Sequence, residues 1–188
     1  MEISFKHSKY RDILPKGFTV KDYATVTSTN DIVKNAARAG AEEGFTVTAR
    51  CQTAGRGRMG RSFFSPDGTG LYISILLRPT FHPKDALMIT TAAAVATARA
   101  LEAAGSRNIG IKWVNDLLIN GKKIAGILTE SSLSMGADSL DFAVLGIGIN
   151  LLSPSNGFPE EIKDIAGAVF DNAREELYEG TDLFCNEE

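Results

Sequence analysis

The sequence has 188 residues, of which 44% are hydrophobic and 23% are charged, as expected for one soluble globular domain. Its 20 basic and 23 acidic residues give a net charge of −3, which provides no global electrostatic reason to expect nucleic-acid binding. The start is polar rather than signal-like, and no apolar run approaches the roughly 18 residues of a membrane span. Cys51 and Cys185 lack metal-ligand spacing and make no secreted disulfide framework, so we expect a cytoplasmic protein.

The first half of the chain is predicted to mix helices and strands. Ser28 offers a helix N-cap, apolar residues follow at helical spacing, and Gly40 ends the helix. Residues 45–52 and 70–78 are predicted strands on either side of a glycine-arginine stretch. Pro83 can open a long alanine-rich helix that runs to residue 104.

The second half predicts an antiparallel meander. Residues 109–113 are predicted to form a short strand, and Asn120 with Gly121 is the preferred pair for a type I′ hairpin turn between two apolar runs. A looser turn at residues 134–138 leads into the apolar strand 142–150.

A closing helix is predicted from Pro159 onward, with an acidic first turn that suits the helix dipole. Together, these elements predict an α+β domain with a mixed or antiparallel sheet and its helices on one side.

The stretch at residues 55–61 (GRGRMGR) places three arginines and three glycines between two apolar strands. Glycines let the backbone approach a ligand closely, and guanidinium groups suit carboxylates and phosphates. A solvated basic turn is the simpler alternative for an arbitrary loop. The alternation of Gly and Arg between strands favours an anion site.

The same stretch formally matches G-x-G-x-x-G. A dinucleotide-binding fingerprint needs a helix directly after the glycines, and the chain instead continues with Pro66, Gly68 and Gly70. A protein-kinase glycine loop does lie between strands, but H-R-D and D-F-G are both missing. Both alternatives are therefore disfavoured.

Five sequence blocks in order resemble biotin–protein ligases over roughly residues 20–170. These are STN (28–30), QTAGRGRMGR (52–61), KWVND (112–116), KIAGILTE (123–130) and GIGIN (146–150). The resemblance implies an α+β catalytic domain related to class II aminoacyl-tRNA synthetases. It also implies ATP-dependent ligation of biotin to a lysine of a biotin carrier protein through biotinyl-5′-AMP, with Mg²⁺.

The resemblance assigns catalytic roles to four cationic residues, Lys123, Arg58, Arg56 and Lys112, and a binding role to Arg61. Arg56, Arg58 and Arg61 match the loop that closes over biotin and the adenylate, and Lys123 matches the lysine near the biotin carboxylate and α-phosphate. Because the two anions meet and charge develops on phosphorus, fixed cations stabilise the transition state most strongly at the α-phosphate.

A second block, KWVND, is implicated in handling the nucleotide and Mg²⁺. Lys112 and Asn115 match it, and Asp116 is the predicted metal ligand. Asn150 is expected beside the nucleotide. Phe63 stands where the family commonly has a tryptophan, and either ring can cover an adenine.

The remaining assigned residues concern biotin. Ser28, Thr29 and Gln52 match positions that hydrogen-bond its ureido ring, and Ser28 can also serve as the N-cap. Strand glycines let the sheet backbone lie against the bicyclic ring. The predicted cofactor-binding set is completed by Asn30, Gly55, Gly57, Gly126 and Gly146.

Two departures from the family pattern concern the domains. We expect residues 1–188 to be one catalytic domain, without an N-terminal helix-turn-helix and without the small C-terminal β-barrel, so repression is not expected. The expected partners are biotin and a biotin carboxyl carrier protein, without DNA or a membrane, and a homodimer is left open. Val114 also replaces the usual proline of the family.

Two other functions compete with ligation. A non-catalytic binder of biotin or biotinyl-adenylate is motivated by the short C-terminal part, but the retained arginines and Lys123 argue against it. A lipoate or octanoate transferase shares the fold but lacks the GRGRxGR loop.

Overall fold

The computed structural model describes residues 2–3, 15–133 and 139–170. Within them, eight strands form one sheet in the order β1-β2-β3-β4-β8-β7-β6-β5, and only the β2–β3 pair is parallel. The strands are β1 (Glu2–Ile3), β2 (Thr19–Val26), β3 (Phe45–Gln52), β4 (Gly70–Leu77), β5 (Gly110–Lys112), β6 (Asp116–Ile119), β7 (Lys122–Leu133) and β8 (Leu140–Asn150). The helices are α1 (Thr29–Arg38) and α2 (Leu87–Ala103), and short 3₁₀ turns span Arg58–Gly60 and Pro83–Asp85.

The predicted α+β class and the mixed sheet are confirmed. Strand β3 has the predicted bounds, and β5 to β8 form the predicted antiparallel meander. Asn120 and Gly121 have φ values of 51° and 80°, the two positive angles that a type I′ turn requires. This tight hairpin joins β6 to β7.

The helices lie on opposite faces of the sheet, so the expectation that they share one side is wrong. Phe142 and Val144 of β8 pack in the cluster that contains α1 residues, whereas Leu145 and Ile149 pack in the cluster that contains α2 residues. Strand β8 is therefore apolar on both faces because both are covered, as in any strand at the centre of a three-layer domain.

Strand β2 was not predicted. Its sequence TVKDYATV is mostly exposed or half-buried and so carries little hydrophobic periodicity. Strand β2 nevertheless pairs in parallel with β3 along its whole length. Because α1 connects the two strands, β2, α1 and β3 form a β-α-β unit, and this unit places the N-terminus of α1 beside the end of β3.

The expected closing helix is also wrong over residues 159–170, which form turns. The Lys123 N–H donates to the Ile165 carbonyl at 2.7 Å, and the Gly167 N–H donates to the Lys123 carbonyl at 2.9 Å. The segment therefore adds to the start of β7 instead of continuing as a helix. The rest of that predicted helix and the predicted turn at 134–138 lie outside the described residues.

The alanine-rich helix meets a length and composition test for crossing a membrane over Pro83–Ala103, although the sequence has no unbroken apolar run of that length. Ala93, Ala94, Ala98 and Leu101 are buried in the cluster that packs against β7 and β8. Packing against the sheet accounts for this apolar face, and the core helix of a soluble protein passes the same test.

Arg78, just after β4, ties the C-terminus of α1 to the sheet. Its Nη2 donates to the carbonyl oxygens of Ala41 at 2.8 Å and Ala37 at 3.3 Å, at the end of the helix where carbonyl groups lack intrahelical partners. We expect Arg78→Met, which keeps the apolar stem, to lower the free energy of unfolding by about 1–2 kcal/mol in urea denaturation. The matched change Arg99→Met on the exposed face of α2 should cost less than about 0.5 kcal/mol. Equal losses in the two variants would contradict the capping role.

Candidate active site

A cleft lies on the α1 side of the sheet, between the start of α1, the glycine-arginine loop and the central residues of β7 and β8. Most of the residues assigned from the sequence line it, although they come from five separate blocks. They are Ser28, Thr29, Asn30, Gln52, Arg56, Gly57, Arg58, Phe63, Asn115, Lys123, Gly126 and Gly146.

Five assigned residues do not line the cleft. Lys112 and Arg61 are exposed on the surface. Gly55 lies beneath the loop, where a Cβ would come within 2.4 Å of the Phe63 carbonyl oxygen. The Asn150 amide is committed to the Gly167 carbonyl at 3.0 Å and to the Lys123 carbonyl at 3.5 Å, so this residue joins backbone segments. Asp116 adjoins the cleft through its ion pair with Lys123.

The buried end of the cleft is built by the first residues of α1. Ser28 and Thr29 are 2% and 3% exposed. Ser28 has the backbone geometry of an N-cap (φ −158°, ψ 131°), yet its side chain makes no capping hydrogen bond. The expected double role of Ser28 is therefore wrong on the capping side, and its hydroxyl is not used by the helix.

Gln52 connects this end to the loop. Its Oε1 accepts from the Thr29 N–H at 2.9 Å and from the Thr29 hydroxyl at 3.1 Å. Its Nε2 donates to Ser65 Oγ at 3.0 Å, and the Ser65 hydroxyl donates to the Phe63 carbonyl at 3.0 Å. These bonds fix the orientation of the Gln52 amide and the position of the chain that leaves the loop.

An ion cluster flanks the same end. The Glu130 carboxylate accepts from Asn30 Nδ2 and Lys34 Nζ, each at 2.8 Å, and Arg56 Nη2 lies 3.6 Å away. Arg56 also pairs with Asp31. Burial alone would raise the pKa of Glu130, but the hydrogen bonds from Lys34 and Asn30 and the nearby positive charges outweigh it and hold that pKa below its ordinary value. Glu130 is therefore ionised at neutral pH.

The opposite end of the cleft carries the other cations. Lys123 Nζ lies 2.7 Å from Asp116 Oδ1, and Arg58 Nη1 donates to Asn115 Oδ1 at 3.0 Å. The Asn115 amide donates in turn to Asp116 Oδ1 at 2.9 Å. A short chain of polar side chains therefore joins a lysine of β7 to an arginine of the loop and holds both cations at the cleft.

Glycines form the floor between the two ends. A Cβ at Gly126 would lie 3.1 Å from the Phe63 ring, and one at Gly148 would lie 2.6 Å from it. Phe63 therefore rests on the bare backbone of β7 and β8, with Lys123 Nζ 5.8 Å from its ring centre. Its edge meets Tyr72 at 6.4 Å. An adenine-stacking role for Phe63 stays a prediction.

Several residues of the site were missed from the sequence. Glu130 ends the KIAGILTE block and Gly148 lies inside GIGIN, but neither residue was predicted to have a function in the site. Ser74 is fully buried and lies within hydrogen-bond distance of Thr29 and Asn30. A lone serine within the apolar strand GLYISILLR is the signal that could have found it.

Comparisons with known proteins agree with this geometry. The bifunctional ligase/repressor BirA of Bacillus subtilis is 39% identical over 176 residues, which cover 94% of this chain and 50% of that protein. A biotin protein ligase from Aquifex aeolicus, solved with biotin and ATP, is 33% identical with a TM-score of 0.64, over 81% of this chain and 60% of that one. The ligase from Leishmania major in complex with biotinyl-5-AMP is 28% identical with a TM-score of 0.60, over 83% and 64% of the two chains.

The chain spans about half the length of the Bacillus relative. The model of the biotin/lipoate A/B protein ligase family matches residues 23–150, a range that contains every residue of the cleft described above. This chain belongs to the biotin/lipoate A/B protein ligase family.

Proposed function

We propose that this chain ligates biotin to a lysine of a biotin carrier protein, using ATP and passing through biotinyl-5′-AMP. One observation carries the proposal: a single cleft joins a buried polar end, made by Ser28, Thr29 and Gln52, to a cationic end, made by Lys123 and Arg58. The first end suits a neutral hydrogen-bonding ring, and the second suits a carboxylate beside a phosphate.

The relatives support the same substrates. The Aquifex aeolicus structure holds biotin and ATP, and the Leishmania major structure holds biotinyl-5-AMP. The Bacillus relative is also named a repressor, but this chain matches half of it, so repression is not carried over. The same proposal has three further parts. The acceptor is a carrier protein, the location is the cytoplasm, where ATP is available, and DNA is not a partner.

In the first step, a biotin carboxylate oxygen attacks the α-phosphorus of ATP, the bond to the β-phosphate breaks, and pyrophosphate leaves. Negative charge accumulates where the two anions meet. Lys123 and Arg58 supply fixed positive charge there, and Asp116 and Asn115 hold them in place before the substrates bind. Their orientation therefore costs no reorganisation during the reaction.

In the second step, the neutral amine of the carrier lysine attacks the carbonyl carbon of the mixed anhydride. An amide bond forms, the bond to the phosphate oxygen breaks, AMP leaves, and the nitrogen releases one proton to solvent. The glycine-arginine loop covers this region through Arg56, Gly57 and Arg58. A loop that covers the anhydride also limits its hydrolysis by water.

Mg²⁺ would have few protein ligands here. The described residues contain no group of three or more His, Cys, Asp or Glu side chains placed to hold a metal ion. Asp116 is the carboxylate beside the cationic end and would contribute to Mg²⁺ held mainly by the ATP phosphates, the usual arrangement for this ion. When bound, the ion would neutralise phosphate charge.

The first experiment is biotin-dependent exchange of labelled pyrophosphate into ATP with Mg²⁺, followed by addition of a biotin carrier domain. The proposal predicts exchange, then labelled carrier. Exchange without transfer would limit the chain to adenylate synthesis, and biotin binding without exchange would identify a non-catalytic binder. Inhibition of the exchange by lipoate as strong as by a biotin analogue would favour the transferase alternative.

Ser28→Ala separates ligand binding from helix capping. Because the Ser28 hydroxyl makes no capping bond, we expect the melting temperature to change little, whereas loss of one hydrogen bond to biotin weakens its affinity about tenfold. Isothermal titration calorimetry and thermal melting measure the two effects. A lowered melting temperature with unchanged biotin affinity would show that the hydroxyl serves the fold instead.

A further inference from the structure

The ion cluster beside the cleft contains a residue to which the proposed mechanism gives no task. Glu130 is 27% exposed at its side chain and does not line the cleft. Its two carboxylate oxygens are occupied by Asn30 Nδ2 and Lys34 Nζ, each at 2.8 Å. The ionised carboxylate is an acceptor at both oxygens. Glu130 therefore dictates which end of the Asn30 side chain faces it.

A carboxamide has one donor end and one acceptor end, so fixing one end fixes the other. With its NH₂ group on Glu130, Asn30 turns its oxygen toward Ser74, whose Oγ lies 2.5 Å away. The Asn30 side chain is 5% exposed and lies directly against the backbone of Gly146, so its protein partners and not water set its orientation. The Asn30 oxygen is thus held as an acceptor in a dry site.

The orientation passes from Asn30 to Ser74. The Ser74 hydroxyl is fully buried and lies within donating distance of both Asn30 Oδ1, at 2.5 Å, and Thr29 Oγ1, at 2.8 Å. A hydroxyl has one proton to donate, and the shorter contact is to an oxygen that can only accept. The Ser74 proton therefore goes chiefly to Asn30, and the 2.8 Å contact to Thr29 is the weaker branch of the same donor.

Thr29 is the last side chain in this series of hydrogen bonds, and it lines the cleft. Its own proton goes to Gln52 Oε1 at 3.1 Å, and Ser74 donates to it only as the longer branch of a proton shared with Asn30. One lone pair of Thr29 Oγ1 therefore remains fully available to a ligand. A group that donates an N–H would find an acceptor at this position, and the cyclic urea of biotin has N–H groups to donate.

We infer that Glu130 is a positioning residue that sets the direction of the hydrogen bonds through Asn30 and Ser74, so that Thr29 presents an acceptor to a ligand N–H. The inference rests on the proposed function, in which that ligand is biotin. Glu130 acts without touching the ligand.

A reciprocal pair of substitutions tests the direction of these bonds. Glu130→Gln alone sets an NH₂ group against either Asn30 or Lys34, which are both donors. Asn30→Asp alone sets two carboxylates against each other, and the repulsion drives up the pKa of the pair. The double variant Asn30→Asp/Glu130→Gln exchanges donor and acceptor, keeps the net charge of the cluster, and leaves an amide oxygen for Lys34.

Biotin affinity is measured by calorimetry without ATP, beside thermal melting of each variant. Each single variant should weaken biotin binding about tenfold or more, the scale of a lost buried hydrogen bond, and the double variant should return to within about threefold of wild type. The matched control Glu160→Gln changes a carboxylate that is 80% exposed and pairs with Lys163, and it should leave the affinity unchanged.

A double variant that folds but binds as weakly as the two single effects combined would overturn the inference, as would a Glu130→Gln variant with wild-type affinity. If Asn30→Asp does not fold, recovery of folding and binding in the double variant supports the inference, and failure of the double variant to fold contradicts it. Wild-type protein that does not bind biotin overturns the proposed function and this inference together.

Discussion

Lys123→Ala is expected to reduce biotin-dependent pyrophosphate exchange about 10²–10³-fold, the scale for removal of one preorganised transition-state stabiliser. Lys123 Nζ lines the cleft, pairs with Asp116 at 2.7 Å and is 33% exposed at its side chain. The amine is thus held where, in the proposed reaction, the carboxylate and the α-phosphate would meet. Its loss leaves Arg58 as the remaining cation at that end of the cleft, among the residues that the structure describes.

The neighbouring lysine provides the control. Lys122 is exposed, and its side chain lies against Gly167 outside the cleft, so Lys122→Ala should keep near-normal exchange. Both variants should melt close to wild type, because the Lys123–Asp116 pair is partly solvated and such pairs contribute little to stability. Normal exchange by Lys123→Ala, or equal losses in the two variants, would show that this lysine is misassigned.

Gly146→Ala should damage both the fold and the pocket. A Cβ at this position would lie 2.3 Å from Asn30 Oδ1 and 3.0 Å from Asn30 Cγ. The Asn30 side chain cannot yield cheaply, because Ser74 and Glu130 hold its two ends. We expect a loss of about 1–3 kcal/mol in the free energy of unfolding, the usual cost of overpacking. Biotin affinity should fall about tenfold or more, since about 1.4 kcal/mol corresponds to a factor of ten.

Gly110→Ala is the matched control because Gly110 is also a strand glycine. It lies exposed in β5, and the nearest atom to an added Cβ is the Leu118 carbonyl oxygen at 3.9 Å. The added methyl group makes only an ordinary van der Waals contact, so stability should stay within about 0.5 kcal/mol of wild type and biotin binding should not change. A Gly146→Ala variant as stable as Gly110→Ala would show that the Asn30 side chain can move aside without loss of stability, and would contradict the prediction.

The sequence alone determined the local elements with strong signals. Strand β3 was predicted at its observed bounds because its apolar residues are flanked by turn residues, and the type I′ turn followed from Asn120 and Gly121, which both tolerate positive φ. The site residues were found through five ordered blocks rather than through periodicity. Most of them meet in one cleft, because the β-α-β unit and the meander bring the blocks to one face of the sheet.

Only the tertiary structure decided three features. Strand β2 is too exposed to show a hydrophobic pattern, and its pairing with β3 makes it a strand. The helices lie on opposite faces because β8 buries both of its faces, and a continuous apolar run does not reveal which helix covers which face. The Glu130–Asn30–Ser74 chain joins three elements far apart in sequence, and hydrogen-bond direction depends on distances that no local pattern encodes.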